Sequence, residues 1–269
     1  MSTYVFDQAW QRERDRLRSL ERLFGAYSRR SMSDLGVGPG WRCLEVGCGA
    51  GGVALWLADQ VGQDGKVVAT DLDTRFVDGH GRDNLEVLVH DVVTDPLADS
   101  AFDLIHARAV LEHVADRETV LRRLVAALKP GGWLLVEDVD FGDAAGDALA
   151  RYFDAPDPTL SWAFPRVFAA VAAAFVAIGA DPAFGPRLPG ALTRAGLIEI
   201  GAELHTPVVR GGTEDFVRGT LEQLADRLAA TGLVTRDEID RALTVLADPA
   251  TFYVPPLMVS AWGRRPDHS

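Results

Sequence analysis

Leu44-Glu45-Val46-Gly47-Cys48-Gly49-Ala50-Gly51-Gly52-Val53 is the stretch that decides the fold. Arg42 to Val46 reads as a short strand, a glycine turn follows, and Val53-Ala54-Leu55-Trp56-Leu57-Ala58 reads as a helix. Glycines 47, 49 and 52 satisfy G-x-G-x-x-G, which lets the chain turn tightly and set backbone N–H groups against a ligand at a helix N-terminus. Taken alone, the turn is compatible with close packing only, and with a nicotinamide dinucleotide site.

The chain on either side narrows the choice. Lys66 to Thr70 reads as a second strand ending at Asp71, and Leu85 to Val89 as a third ending at His90-Asp91. Ala101 to His106 reads as a fourth strand and leads to a helix capped by Asp116, with Val120, Leu121, Leu124, Val125 and Leu128 on its apolar face. Lys129-Pro130-Gly131-Gly132 stops that helix, and Trp133 to Val136 is a fifth strand. Strands alternating with helices imply an α/β fold with a doubly wound, parallel sheet, because parallel strands need crossovers and the crossovers cover the sheet. We expect an N-terminal helical flap over 1–36, this core over 37–140, an aromatic and proline-rich cap over 141–195, and the rest of the sheet with inserted helices over 196–269.

Each outlying part has its own pattern. Trp10, Leu17, Leu20, Phe24 and Tyr27 follow a helical stripe. Phe168, Val171, Phe175 and Ile178 are spaced for one helix face, a stripe read here as core. Leu197 to Ile200 with Ala202 to His205 reads as a sixth strand and Met258 to Trp262 as a seventh, with two helices between Glu214 and Leu246 that cover the cap or form a homodimer contact.

Charge and cysteine content exclude several classes. The 269 residues carry 27 Lys+Arg against 39 Asp+Glu, a net charge of −12. Such a field repels polyanions, so a nucleic-acid partner is not expected. Residues 1–31 differ: seven arginines against Asp7, Glu13, Asp15 and Glu21 give 7 − 4 = +3. Cys43 and Cys48 are the only cysteines and have no His or Cys at ligand spacing, so neither a disulfide nor a metal is expected. The most membrane-like run, Val167 to Ala180, is too short to span a bilayer, and Met1 to Phe6 has no leader pattern, which points to a cytoplasmic protein without a membrane partner.

In doubly wound sheets ligands bind beyond the carboxyl ends of the strands. Asp71, 24 residues after Gly47, is placed to accept hydrogen bonds from both ribose hydroxyls; as a bland alternative it caps the following turn. Asp91 closes the third strand in the same way and can take an adenine amine while the Val92 N–H donates to the ring; its bland alternative is a surface carboxylate.

These segments resemble the class I S-adenosylmethionine (SAM) dependent methyltransferases. The resemblance is carried by Leu44 to Gly51, Thr70-Asp71-Leu72-Asp73, His90-Asp91-Val92, Phe102-Asp103-Leu104-Ile105 through Leu111-Glu112-His113, and Leu128 to Gly132. The Tyr4 to Phe6 start and the Trp262-Gly263-Arg264-Arg265-Pro266 end are most similar to actinobacterial members met near small-molecule, secondary metabolism. It implies a Rossmann-like, mostly parallel seven-stranded sheet with an antiparallel last strand and helical cap elements, binding SAM. It further implies Gly47, Cys48 and Gly49 along the methionine portion, Glu45 at its amino group, Asp71 on the ribose, Leu72 on the adenine face, and Asp91 with Val92 at the adenine edge. His106, Ala107 and Arg108 would border the sulfonium. Arg108 is bulkier and more charged than the small residue often found there, leaving open whether it meets the SAM carboxylate or an anionic acceptor.

A sulfonium is already activated, so alignment does most of the work and a base is optional. His113 and His106 are the candidates for one, since only His titrates near neutrality unperturbed. We expect Tyr4, Tyr152, Trp162 and Phe164 to line an apolar pocket for a small-molecule acceptor whose O, N or C atom takes the methyl group. Two other readings stand beside this: a SAM-binding protein without methyl transfer, such as a SAM-assisted cyclase or a regulator, and a nicotinamide-dependent oxidoreductase.

Overall fold

Seven strands hydrogen-bond into one sheet: β1 (Arg42–Val46), β2 (Lys66–Asp71), β3 (Leu85–Val89), β4 (Phe102–Arg108), β5 (Leu128–Asp140), β6 (Ile198–His205) and β9 (Leu257–Arg264), in the order β3-β2-β1-β4-β5-β9-β6. The computed structural model describes residues 6, 12–77, 80–156, 163–213 and 216–267, the side chains at 143, 144, 150, 163 and 164 excepted. The pairs among β3, β2, β1, β4 and β5 are parallel, with Leu44 between Val68 and Ile105. β9 is antiparallel to both β5 and β6, as the resemblance implied for the last strand, and it sits between them. The strand order reverses between β1 and β4, so the crevice above their carboxyl ends is the switch point.

The helices are α1 (Glu13–Asp34), α2 (Gly52–Val61), α3 (Arg117–Ala127), α4 (Asp143–Ala150), α5 (Ala163–Ala177), α6 (Leu188–Arg194), α7 (Phe216–Ala230) and α8 (Arg236–Ala247); β7 (Val209–Arg210) and β8 (Phe252–Tyr253) form a separate two-stranded ladder. Asp116 caps α3 by accepting from the Thr119 N–H at 3.2 Å, and Thr235 with Glu238 forms a capping box on α8. Two expectations need correction. Among the described residues the β2–β3 and β3–β4 connections carry no helix, and β5 starts at Leu128, running through the Pro130-Gly131-Gly132 segment that read as a break before the strand.

Three apolar clusters follow from this layout. Two cover the faces of the sheet, one with α2 and one with α3 and α6. The third is built from Phe24 of α1, Val167 and Phe175 of α5, Leu228 of α7 and Ile239 of α8. The 141–195 stretch is therefore divided: α5 joins the N-terminal helix and α7 and α8 in one cap, while α6 packs on the sheet. No described helix is long and apolar enough to cross a membrane.

Candidate active site

The glycine turn is pinned to β2: the N–H groups of Gly47 and Cys48 both donate to the Thr70 carbonyl, at 2.8 and 2.9 Å. Gly47 has φ +70°, and a Cβ there would be driven into Val110 Cγ2, so only glycine fits. Asp71 holds the turn from the next strand end, one oxygen accepting from the Gly49 N–H at 2.8 Å and the other from Asp73 N–H at 3.2 Å. With the Leu72 N–H as a third backbone donor, the carboxylate still has acceptor capacity for a ligand hydroxyl. Burial pushes this carboxyl above its ordinary pKa, and the backbone donors pull the other way. Asp91 accepts from the Val93 N–H at 2.9 Å, and the carbonyl of Val92 accepts from Arg123 at 2.7 Å.

These groups open into a single cavity of about 500 Å³. Glu45, Gly47, Cys48, Gly49, Asp71, Leu72, Asp91, Val92 and Arg108 line one end; Phe6, Phe141, Phe168, Val171, Phe175 and Phe216 line the other. A glycine turn with no room for a Cβ, a carboxylate at each of the first three strand ends and an adjoining apolar chamber fit a bound SAM. Nine of the ten cofactor residues expected from the sequence therefore converge; Ala107 is buried in the sheet and does not face the cavity.

The two histidines part company. His106 is fully buried beneath the cavity, Nδ1 at 2.6 Å from Glu45 Oε2 and Nε2 at 3.0 Å from Glu137 Oε2. Although desolvation opposes its charge, the two carboxylates lift its pKa to about 9. Glu137 is driven down to about 2 against its own desolvation, chiefly by the hydrogen bond and charge of His106. The expectation of His106 as a base is thus corrected: a cation with both nitrogens engaged and no face on the cavity positions Glu45 instead. His113 does face the cavity, its ring 5.2 Å from Phe175 and 6.1 Å from Phe6. Burial and the nearby Arg16 cation lower its pKa to about 3, so its imidazole is neutral.

Glu112 and Asp138 hold His113 there. Glu112 Oε2 accepts from the Val139 N–H at 2.9 Å, and Asp138 accepts from the Val110 N–H at 3.1 Å, which ties the 3-10 turn Leu111–His113 to β5. Desolvation, and for Glu112 the neighbouring Asp138 charge, push both carboxyls up, Asp138 to about 8. The pair therefore retains a proton near neutrality.

The acceptor end differs from expectation. Tyr152, just beyond the end of α4, is 65% exposed and does not line the cavity. Tyr4 and Trp162, and the side chain of Phe164, lie outside the described residues. The stripe read as core, Phe168, Val171 and Phe175, both packs in the cap and lines the cavity. Sequence reasoning missed Arg16 and Glu13, a buried pair with Nη2–Oε1 at 2.6 Å whose guanidinium lies 3.8 Å over the Phe6 ring, and also Glu21 and Phe216. The spacing of Glu13 and Arg16 was the available signal, but a solvated face has the same spacing.

A family model described as a methyltransferase domain matches residues 44–136. Methyltransferase str2 of Strobilurus tenacellus is 36% identical over 38% of this chain and 37% of that protein. An uncharacterized 37.1 kDa protein in a transposon of Streptomyces fradiae is 33% identical over 62% of this chain and 48% of that protein. The chain thus spans less than half the length of these two curated relatives. Among solved structures, phosphoethanolamine N-methyltransferase 2 of Haemonchus contortus, in complex with SAM, has a TM-score of 0.52 and 18% identity over 98% of this chain and 54% of that one, a likeness of fold. With the five motif segments in order around the switch point, residues 44–136 match a methyltransferase domain, and their fold is similar to that of class I SAM-dependent methyltransferases.

Proposed function

We propose that this protein transfers the methyl group of SAM to an apolar small-molecule acceptor. The observation that carries the reading is the single cavity joining the glycine turn to an aromatic chamber. SAM supplies the activated methyl group, and the chain's residues supply alignment, worth roughly 7 to 11 kcal/mol for well-oriented reactants. Asp71 holds the ribose, Leu72 and Asp91 with Val92 hold the adenine, and Glu45, steadied by His106, meets the amino group. Phe168, Phe175 and Phe216 hold the acceptor against the sulfonium and exclude water.

His113 is the cavity's proton acceptor where the acceptor needs one. Its neutral Nε2 lies 3.3 Å from Glu112 Oε1, and so weak a base helps only an acceptor that attacks with little deprotonation, not an aliphatic alcohol. Tyr4, Trp162 and Phe164, whose side chains lie outside what the structure describes, remain candidates for acceptor contacts in this reading, and the sequence resemblance to actinobacterial members supports a place in secondary metabolism. The test incubates the protein with SAM labelled at the methyl carbon and a metabolite extract, followed by mass spectrometry. A labelled product whose yield falls at least tenfold in Phe168→Ala is expected. Stoichiometric SAM binding with no labelled product would return the protein to the non-methylating reading.

A further inference from the structure

Six charged side chains cluster at the amino-acid end of the cavity: Glu21, Arg29, Glu45, His106, Arg108 and Glu137. From α1, Glu21 lines the cavity and pairs with Arg108, whose Nη1 also donates to Ser28 Oγ at 2.8 Å. Ser28 in turn donates to Glu137, which shares His106 with Glu45. The position of Glu21 is fixed sterically as well. A Cβ on Gly52, the first residue of α2, would stand 2.7 Å from Glu21 Cγ, and one on Gly49 would stand 3.5 Å from Leu17. The N-terminal helix therefore rests directly on the glycine turn.

The charge of this cluster can be counted without deciding where its proton sits. Glu45, His106 and Glu137 with one proton on the imidazolium or on a carboxyl sum to −1 either way. Glu21 with Arg108 and Arg29, whose Nη1 lies 3.1 Å from Glu21 Oε1, sums to +1. The end of the cavity is thus neutral with Glu21 ionised and would be net +1 without that charge, in a largely buried setting where charges are weakly screened. SAM carries an ammonium, a carboxylate and a sulfonium, net +1, whereas its demethylated product S-adenosylhomocysteine has a neutral thioether and is net zero.

We propose that Glu21 is a cofactor-selective residue, which closes over the site on α1 and keeps this end of the cavity from turning net positive, a charge that would disfavour the sulfonium form relative to the demethylated product. The inference rests on the SAM reading of the cavity. No bond changes are required of Glu21; it acts through its charge.

The experiment is isothermal titration calorimetry of the full chain with SAM and, separately, with S-adenosylhomocysteine, for wild type, Glu21→Gln and Glu21→Asp. The expected result is that Glu21→Gln lowers the ratio of SAM to S-adenosylhomocysteine affinity about tenfold, the scale of one unit charge at an intermediate effective dielectric. Glu21→Asp keeps the charge and should retain most of the ratio even where both affinities fall. Equal losses for both ligands in Glu21→Gln, leaving the ratio unchanged, would make Glu21 a packing residue and overturn the proposal alone. Wild-type protein binding neither ligand would overturn it together with the cofactor reading.

Discussion

Glu137→Gln isolates the buried charge network that underlies the cavity. Glutamine mimics the neutral acid, so the variant keeps the size of the side chain and removes only what the charge contributes. In the native protein Glu137 accepts from Ser28 and Ser260 and lies 3.0 Å from His106 Nε2, fully buried. Its pKa of about 2, against an ordinary 4.5, means that ionisation favours the fold. A shift of that size corresponds to about 3 kcal/mol at roughly 1.36 kcal/mol per pH unit. The same scale is found when one partner of a buried ion pair is removed, roughly 3 to 5 kcal/mol.

The sign follows from a depressed carboxyl. This contribution is present above the unfolded pKa and is lost as pH falls from 4.5 through about 2. Urea unfolding at pH 7 should therefore place Glu137→Gln about 3 kcal/mol below wild type, with the gap closing in acid. Histidine ring nitrogen NMR adds a second readout: His106, which titrates at about 9 in the native protein, should titrate lower once one of its two carboxylates is gone. A loss no larger than that of an ordinary surface substitution, roughly 0.5 kcal/mol, with His106 still titrating at about 9, would refute the network.

Other perturbations separate cofactor binding from folding. Asp71→Ala should weaken SAM binding by about 1.5 to 3 kcal/mol, the loss of charge-assisted hydrogen bonds, read by calorimetry on a folded variant; an unchanged dissociation constant would discard the ribose role. Gly47→Ala forces a Cβ into Val110 at φ +70°, and should lower thermal stability and reduce SAM binding together; full binding would mean that the turn adapts. Thr235→Ala removes the N-terminal cap of α8, far from the cavity lining, and should cost about 1 kcal/mol in urea unfolding while SAM affinity stays put.

Local sequence determined the sheet and the cofactor end. The glycine turn, Asp71 and Asp91 are each coupled to a strand end, and the alternation of apolar strands fixes where those ends lie, so Gly47 to Asp91 could be assembled into one site from spacing, to which the family resemblance added Glu45. The helix-free connections on either side of β3 were misread because strands pair in register whether or not a helix joins them. The fate of the histidines was not legible: His106 and His113 are both polar residues near one strand end, and only the placement of Glu45, Glu137 and Arg16 around them makes one a buried cation and the other neutral. Likewise the stripe of Phe168, Val171 and Phe175 has the same period whether it faces a core or a ligand. Helical spacing records which residues share a face, and tertiary packing decides what that face meets. Here α1 and α7, distant in sequence, close over that face and leave a chamber between them and the glycine turn.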